Sequence, residues 1–513
     1  MGEASQALQK IARGTGVVFA GTVISMFFGF LSRAVIARYF STGEYGVFNL
    51  ALTVLSIALV LATLGFQNAL PREVAFYRER EPLRVGDLVL TALLITALNG
   101  ILWAAVLILG ADKIAGLFNE ARLIYALRIV AFAIPFSALT RVTISISRGF
   151  GRVREQVYFQ NIVYPTAFLL LVALGILLKL PFDFIFGAYV AAWVLTLTAL
   201  TFDVWKRRVF RFGISLNLKL GKELVRFSIP LMMTGIAGFV MTWTDTLMLG
   251  YYLGSEVVGL YNGAAPIARL LPLFLNSAGL IFPPLATVLY AHGKIEELGR
   301  VYQVLTKWIF LATFPLFTLM FLFPEATIGF FFGSKYLPAA PALRILAVGF
   351  MFHTLLGLNG MSLIVIRESS FIMYSTLVSA GINVVLNAVL IPVYGIEGAA
   401  AATAVSYFVT NALNSLRLYQ KVEIHPFGRS YVKTLVVGIS LLVLVLVEGI
   451  KTPSIVYAFV ALVIITGVFF VLVLLSRSID REDVELLLAV EKKMGINLGL
   501  IKKVLGCSSR FCL

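Results

Sequence analysis

Cysteine and catalytic motifs are scarce in this chain, and each scarcity excludes a class of protein. The only cysteines, Cys507 and Cys512, lie near the C-terminal end, so neither a disulfide framework nor a CxxC metal motif is available. No P-loop, HExxH or Gly-x-Ser-x-Gly motif occurs. The sequence therefore predicts no enzyme, no cofactor and no metal site, and it disfavours ATP-driven transport by this chain alone.

Charged residues are also scarce, because only 13% of the 513 residues are charged while 60% are hydrophobic. A soluble domain has about a quarter of its residues charged. Apolar runs of roughly 20 residues, each long enough to cross the hydrocarbon layer, recur about fourteen times between Thr15 and Leu475. This pattern predicts an all-α polytopic membrane protein with about 14 transmembrane helices.

The net charge of +16 does not indicate a nucleic-acid partner, because of where the basic residues lie. With a cytoplasmic N-terminus, most lysines and arginines fall in loops predicted to be inside, which is the usual bias of membrane proteins. We therefore expect a multi-pass protein of the cell membrane, with membrane lipids around it and both termini in the cytoplasm. The inner basic groups include Arg78, Arg80 and Arg84, Arg148, Arg152 and Arg154, and Lys206, Arg207 and Arg208.

Several short motifs recur at a nearly constant distance along the chain. The run Gly46-Val47-Phe48-Asn49 returns as Gly259-Leu260-Tyr261-Asn262, 213 positions later. ALRIVAFAIPF, which contains Arg128, returns as ALRILAVGFMF, which contains Arg344. Because each copy holds six spans, both have the same orientation, which predicts a pseudo-two-fold axis along the membrane normal. Arg128 and Arg344 lie near the outer ends of their spans, so their recurrence fits either a structural or a binding role.

The repeat divides the chain into six predicted parts. They are a cytoplasmic N-terminal segment (1–14), a first six-helix bundle (15–205), a basic cytoplasmic linker (206–223), a second six-helix bundle (224–419), the extra helices 13 and 14 (430–476) and a cytoplasmic amphipathic tail (477–513).

Three motifs carry a family resemblance. SRAVIARYFSTGEYGVFNLAL, the paired Leu-Arg-Ile motifs and YGIEGAAAATAVSY resemble the polysaccharide transporter, or Wzx-type, flippases of the MOP superfamily. The resemblance implies fourteen spans and transport of polyprenyl-linked oligosaccharides. Lipid II flippases and multidrug MATE transporters are relatives with the same twelve-helix core.

Polar residues spaced seven apart lie on nearly one face of a helix and predict the lining of a cleft. Asn262, Arg269 and Asn276 form such a stripe in the second copy, and Asn49 begins the matching stripe in the first. Bare polar groups facing lipid are costly, so we expect these stripes to face the cleft.

The charged residues within spans are the candidate ligands of the substrate and the coupling ion. Arg269, Arg33 and Arg141 are the predicted phosphate-binding cations, and Asn49, Asn262 and Asn276 are the predicted partners of sugar hydroxyls. With an offset of 212, Asp245 falls at the place equivalent to Arg33 and is predicted to act in gating or coupling. A charge pair between Arg33 and Asp245 that only holds the two bundles together is the alternative.

These residues favour a flippase that moves a polyprenyl-(di)phosphate-linked oligosaccharide from the cytoplasmic to the outer leaflet by alternating access. Coupling to Na⁺, H⁺ or the membrane potential is compatible with the sequence. The alternative is a MATE-like cation-coupled exporter of small molecules, which requires buried carboxylates, and Asp245 is the clearest one. A membrane-embedded glycosyl polymerase or ligase is disfavoured because the outer loops are short.

Overall fold

The computed structural model describes residues 3–210, 217–448, 455–476 and Ser478. No β-strand occurs among these residues, which form α-helices joined by short turns. The predicted all-α class is therefore confirmed. The predicted amphipathic tail lies outside the described residues except for Ser478, and the predicted basic linker is described only in part.

The described residues of the first half of the chain form nine α-helices. α2 begins at a capping box in which the Ser41 and Glu44 side chains each accept the other's backbone N–H. A 3₁₀ turn (Pro82–Arg84) precedes α4, and an eight-residue π-helix (Gln156–Val163) runs directly into α7. The helices are α1 (Glu3–Tyr39), α2 (Thr42–Thr63), α3 (Phe66–Arg80), α4 (Val85–Leu117), α5 (Arg122–Ala131), α6 (Ala133–Gly149), α7 (Tyr164–Leu177), α8 (Phe184–Lys206) and α9 (Leu218–Leu253).

The second half, as far as the structure describes it, also forms nine α-helices, with a 3₁₀ helix (Ser334–Ala339) before α14. The helices are α10 (Ser255–Ala268), α11 (Leu273–Ala291), α12 (Ile295–Leu322), α13 (Pro324–Phe331), α14 (Ala340–Leu355), α15 (Asn359–Val365), α16 (Ser369–Val422), α17 (Arg429–Val447) and α18 (Ile455–Leu475).

The described helices account for a polytopic membrane protein. Ten are long and apolar enough to cross a membrane, and counting each of three bent helix pairs as one span gives up to 13. α16 is counted once although it has 54 residues, a length of about 80 Å at 1.5 Å per residue. Gly395 breaks it with φ 56° and ψ −129°, a conformation that suits glycine. If the two halves of α16 are counted as separate spans, the upper number of spans becomes fourteen. This agrees with the predicted number, which stays a prediction.

The chain forms two compact units. Unit 1 comprises Met1–Ala268, Ile328–Leu346 and Met373–Thr410, and unit 2 comprises Arg269–Thr327, Ala347–Ile372 and Asn411–Leu513. Unit 1 combines the first predicted bundle with segments of the second. The two units thus do not follow the sequence repeat, and the predicted bundle boundaries stay a prediction from that repeat.

Within unit 1, two glycines that the repeat relates lie at a crossing of α2 and α10. A Cβ at Gly46 would overlap the carbonyl oxygen of Ser255, and a Cβ at Gly259 would overlap the carbonyl oxygen of Thr42. Ser255 follows Thr42 by 213 positions, the same offset that separates the glycines. The contact is therefore symmetric about a local two-fold axis, and small residues allow the two backbones to approach closely.

We predict that Gly46→Ala and Gly259→Ala each lower the thermal unfolding temperature of the detergent-solubilised protein. The obstructing atoms belong to the backbone and cannot rotate aside, so the helices must separate, at an overpacking cost of about 1–3 kcal/mol. Gly116→Ala is the matched control, because nothing lies within 4 Å of a Cβ at that helical position. Unfolding temperatures that equal the control's would contradict the close crossing.

Candidate functional site

Arg33 and Asn49, both predicted cavity residues, contact each other in unit 1. Arg33 Nη1 donates to Asn49 Oδ1 at 3.1 Å, and Asn49 Nδ2 donates to the Tyr45 carbonyl oxygen at 2.7 Å. Asn49 is buried, whereas Arg33 is half-buried. The asparagine therefore orients the guanidinium.

The second copy reproduces this arrangement without the charge. Asn262, also buried, donates from Nδ2 to the Val258 carbonyl oxygen at 3.0 Å and to Thr246 Oγ1 at 3.4 Å. Thr246 thus contacts Asn262 as Arg33 contacts Asn49, and 213 positions separate both pairs. The predicted counterpart of Arg33 was Asp245, at an offset of 212, and this was wrong by one residue. The offset of 213 that relates α2 to α10 also relates α1 to α9, so the counterpart of Arg33 is Thr246.

Asp245 is 2% exposed and lies in a cluster of hydrogen-bond donors from other helices of unit 1. Its Oδ2 accepts from the Tyr261 hydroxyl and from Thr403 Oγ1 at 2.6 Å, and its Oδ1 accepts from Asn387 Nδ2 at 2.9 Å. Among the described residues, Arg33 donates to Asn49 on α2, whereas Asp245 accepts hydrogen bonds from α10 and α16. The buried carboxylate is therefore held by α10 and by both halves of α16.

Further polar groups on α16 lie beside Asp245. Asn387 Nδ2 also donates to Asn383 Oδ1 at 3.1 Å. In the described part of the chain, Asn387 Oδ1, Asn383 Nδ2 and Ser379 Oγ are enclosed and have no hydrogen-bond partner. The arrangement places a carboxylate, two amide groups and hydroxyl groups in one buried region, which is a donor set suited to a small hard cation.

Arg141, on α6, lies beside an aromatic cluster of unit 1. Tyr164 stacks on Trp193 with ring centroids 4.0 Å apart, and it meets Tyr189 edge to face with ring centroids 6.1 Å apart. Tyr164 follows directly after the π-helix. π-Helical turns are frequent at functional sites.

The other two predicted ligands, Arg269 and Asn276, belong to unit 2. Arg269 is half-buried in the turn between α10 and α11, and Asn276 is exposed on α11. In the first repeat, the counterpart of Arg269 is Ser56, which donates to the Leu52 carbonyl oxygen at 2.7 Å. The second copy therefore carries a positive charge at this position, whereas the first copy carries an uncharged serine.

Two arginines of α5 make ion pairs within unit 1. Arg128 Nη2 lies 2.8 Å from Asp112 Oδ2, which favours the structural interpretation of the repeated Leu-Arg-Ile motif.

Arg122 binds Glu120 at 2.9 Å, and Ser255 at the start of α10 also donates to Glu120. Burial raises the pKa of the Glu120 carboxyl, but the bonds from Arg122 and Ser255 outweigh burial and hold the pKa below its usual value. Glu120 is therefore ionised at neutral pH and ties α10 to the α4–α5 turn.

Comparison with known proteins identifies the fold and the relatives. A family model described as "Polysaccharide biosynthesis protein" matches residues 11–288, and the MatE model matches residues 230–389. The chain is 25% identical to the probable low-salt glycan biosynthesis flippase Agl15 of Haloferax volcanii, over 90% of this chain and 93% of the relative. It is 24% identical to the lipopolysaccharide biosynthesis protein WzxC of Escherichia coli, over 66% and 67%.

A solved structure of the lipid II flippase MurJ, in an inward closed conformation, has the same fold. It superposes with a TM-score of 0.72 over 88% of this chain and 98% of that one, at 14% identity. The polysaccharide biosynthesis model covers more than half of the 513 residues. The chain therefore belongs to the polysaccharide biosynthesis protein family.

Proposed function

We propose that this protein is a flippase that moves a polyprenyl-(di)phosphate-linked oligosaccharide from the cytoplasmic to the outer leaflet of the cell membrane, with both termini cytoplasmic. The observation that carries the proposal is Arg33, a half-buried cation of unit 1 whose guanidinium donates to the buried Asn49. A cation inside a membrane protein is costly unless it serves an anionic partner. A phosphate-linked head group supplies such an anion, and the names of Agl15 and WzxC support glycan assembly as its purpose.

The proposed phosphate ligands are Arg33, Arg269 and Arg141, because an arginine fork matches a phosphate bidentately. Asn49, Asn262 and Asn276 are the proposed partners of sugar hydroxyls. In Asn49 and in Asn262, Nδ2 already donates to a backbone carbonyl oxygen one helical turn earlier. Each asparagine can therefore contact a sugar hydroxyl only through its remaining hydrogen-bonding groups. Arg141, the third proposed phosphate ligand, has an enclosed Nε without a hydrogen-bond partner in the described part of the chain.

Asp245 is the proposed coupling site for a monovalent cation. Its carboxylate takes hydrogen bonds from both halves of α16, so binding of Na⁺ or H⁺ there changes the contacts between α9, α10 and α16. A ligand that prefers one arrangement of these helices shifts the transporter toward that arrangement. The same buried acid, with the MatE match, favours a cation-coupled exporter of small molecules as the second candidate.

Transport in reconstituted vesicles tests the proposal. The probe is a polyprenyl diphosphate carrying a short fluorescent oligosaccharide, and the measurement is the fraction of label that an impermeant quencher reaches over time. We expect protein-dependent transfer across the bilayer, whereas ethidium in the same vesicles is not transported. Ethidium transport without movement of the lipid-linked probe would favour the exporter instead.

A further inference from the structure

A cavity of about 780 Å³ lies at the end of unit 1 that the sequence predicts to be outer. Three turns surround it, which are the α1–α2 turn at Ser41, the α4–α5 turn at Glu120 and the α9–α10 turn at Gly254. Pockets that bind small molecules have volumes of about 300–1,000 Å³. The cavity therefore has room for a ligand of more than one ring.

The three turns around this cavity are held together by close contacts and hydrogen bonds. At the crossing of α2 and α10, each of the two glycines lies against the first residue of the other helix, so the starts of both helices are fixed side by side. Thr42 Oγ1 donates to Glu256 Oε1 across this contact at 3.5 Å. Ser255 donates to Glu120, which attaches the third turn. The walls of the cavity are therefore preorganised.

Aromatic side chains form one part of the cavity wall. Tyr251 and Tyr252, in the last turn of α9, are 57% and 41% exposed, and their rings meet edge to face with centroids 5.1 Å apart. Phe118, which follows α4, also lines the cavity. Exposed aromatic residues at the end of a span commonly lie in the membrane interface, but these line a cavity together with charged groups. They offer aromatic faces on which the apolar face of a ligand ring can pack.

Polar side chains form the rest of the wall. Among the described residues, the lining holds two carboxylates, Glu120 and Glu256, against one guanidinium, Arg122, so it does not favour a phosphate. Glu120 is already paired with Arg122, which leaves little negative charge for an organic cation. Asn119 and the hydroxyl groups of the α1–α2 turn add uncharged donors and acceptors. The ligand that matches this wall carries many hydroxyl groups, an apolar ring face and no charge.

We propose that this cavity binds uncharged sugar residues of an oligosaccharide on the predicted outer side of the membrane. Sugar rings pack on Tyr251 and Tyr252, and their hydroxyl groups donate to Glu256 and bond to Asn119. The inference rests on the proposed function, because a flippase brings the sugars of its substrate to this side. The site then holds the glycan after translocation, apart from the phosphate ligands.

Saturation-transfer NMR on the purified full-length protein in deuterated detergent tests the site. The probe is the oligosaccharide released by mild acid from the lipid-linked glycans of the cells that make this protein, so it carries neither phosphate nor lipid. We expect saturable binding in which sugar C–H protons receive magnetisation from the protein. Tyr251→Ala and Glu256→Gln should each weaken binding at least about fivefold, through loss of a ring face and of a charge-assisted hydrogen bond. Tyr457→Ala is the matched control, because Tyr457 is 63% exposed on α18 and does not line the cavity.

Elution as a monodisperse species verifies that each variant is folded, and Glu256→Gln decides the test if Tyr251→Ala does not fold. No binding of the oligosaccharide to the wild type would overturn the site, even if the lipid-linked probe is translocated in vesicles. Binding of wild-type strength in both variants would also overturn it. Binding of ethidium that both variants lose, without binding of the oligosaccharide, would assign the cavity to an organic cation and refute the proposal. Failed translocation with intact, variant-sensitive sugar binding would refute the proposed function and leave the sugar site supported.

Discussion

Arg269→Ala is expected to lower the rate of glycan-lipid translocation by on the order of a hundredfold while the protein still folds and inserts. Arg269 is a half-buried cation in unit 2, and its counterpart in the first repeat is the uncharged Ser56. Loss of a charged hydrogen-bond partner of phosphate costs about 3 kcal/mol, which is roughly a hundredfold in rate. Arg269→Lys should retain part of the activity, because the charge remains but the bidentate fork is lost.

The measurement is the quencher accessibility of the fluorescent glycan lipid in vesicles at matched protein amounts. Arg300→Ala is the control, because Arg300 is an exposed arginine of the same unit near the start of α12. It should translocate at the wild-type rate. A wild-type rate for Arg269→Ala, or equal losses in Arg269→Ala and Arg300→Ala, would remove Arg269 from the phosphate site.

The repeat was the most informative feature of the sequence. Because Gly46 and Asn49 return together as Gly259 and Asn262, their offset predicted residues in equivalent places. The symmetric crossing of α2 and α10 and the matching asparagine bonds confirm that equivalence. The offset failed only where a loop difference was assumed between Arg33 and Asp245, since the helices there carry no insertion.

The partners of Asp245 were not predicted, for a physical reason. Asn387 and Thr403 follow Asp245 by 142 and 158 positions, and helical periodicity relates residues only within one helix. A signal was nevertheless present on α16. Ser375, Ser379, Asn383 and Asn387 recur every four residues, a polar row inside an apolar span, and all four are buried. Such a row in lipid-spanning sequence indicates a face turned toward protein.

The surroundings of Tyr164 were predicted only in part. Arg33 and Arg141 were candidates because charge within a span is rare. Trp193 and Tyr164 carried no such signal, since aromatic residues are common throughout a membrane protein. The π-helix that precedes Tyr164 also has no simple sequence signature, because the 3.6-residue period does not report one extra residue in a turn.

Asp245→Asn is expected to abolish the dependence of translocation on cation gradients. The substitution removes the charge that attracts Na⁺ or H⁺ while keeping nearly the same volume in a site that is 2% exposed. The introduced amide N–H₂ also faces the Asn387 donor, which costs about 1–3 kcal/mol of stability, so protein yield and unfolding temperature must be measured alongside.

The experiment varies Na⁺ at constant pH and pH at constant Na⁺, and it compares rates with the gradient present and collapsed. The wild type should respond to one of these gradients, which names the coupling ion, and Asp245→Asn should respond to neither. Asp112→Asn is the matched control, because Asp112 is an exposed acid at the predicted outer end. An unchanged gradient response in Asp245→Asn would show that the coupling ion binds elsewhere. It would leave the hydrogen bonds of Asp245 to α10 and α16 as a purely structural tie.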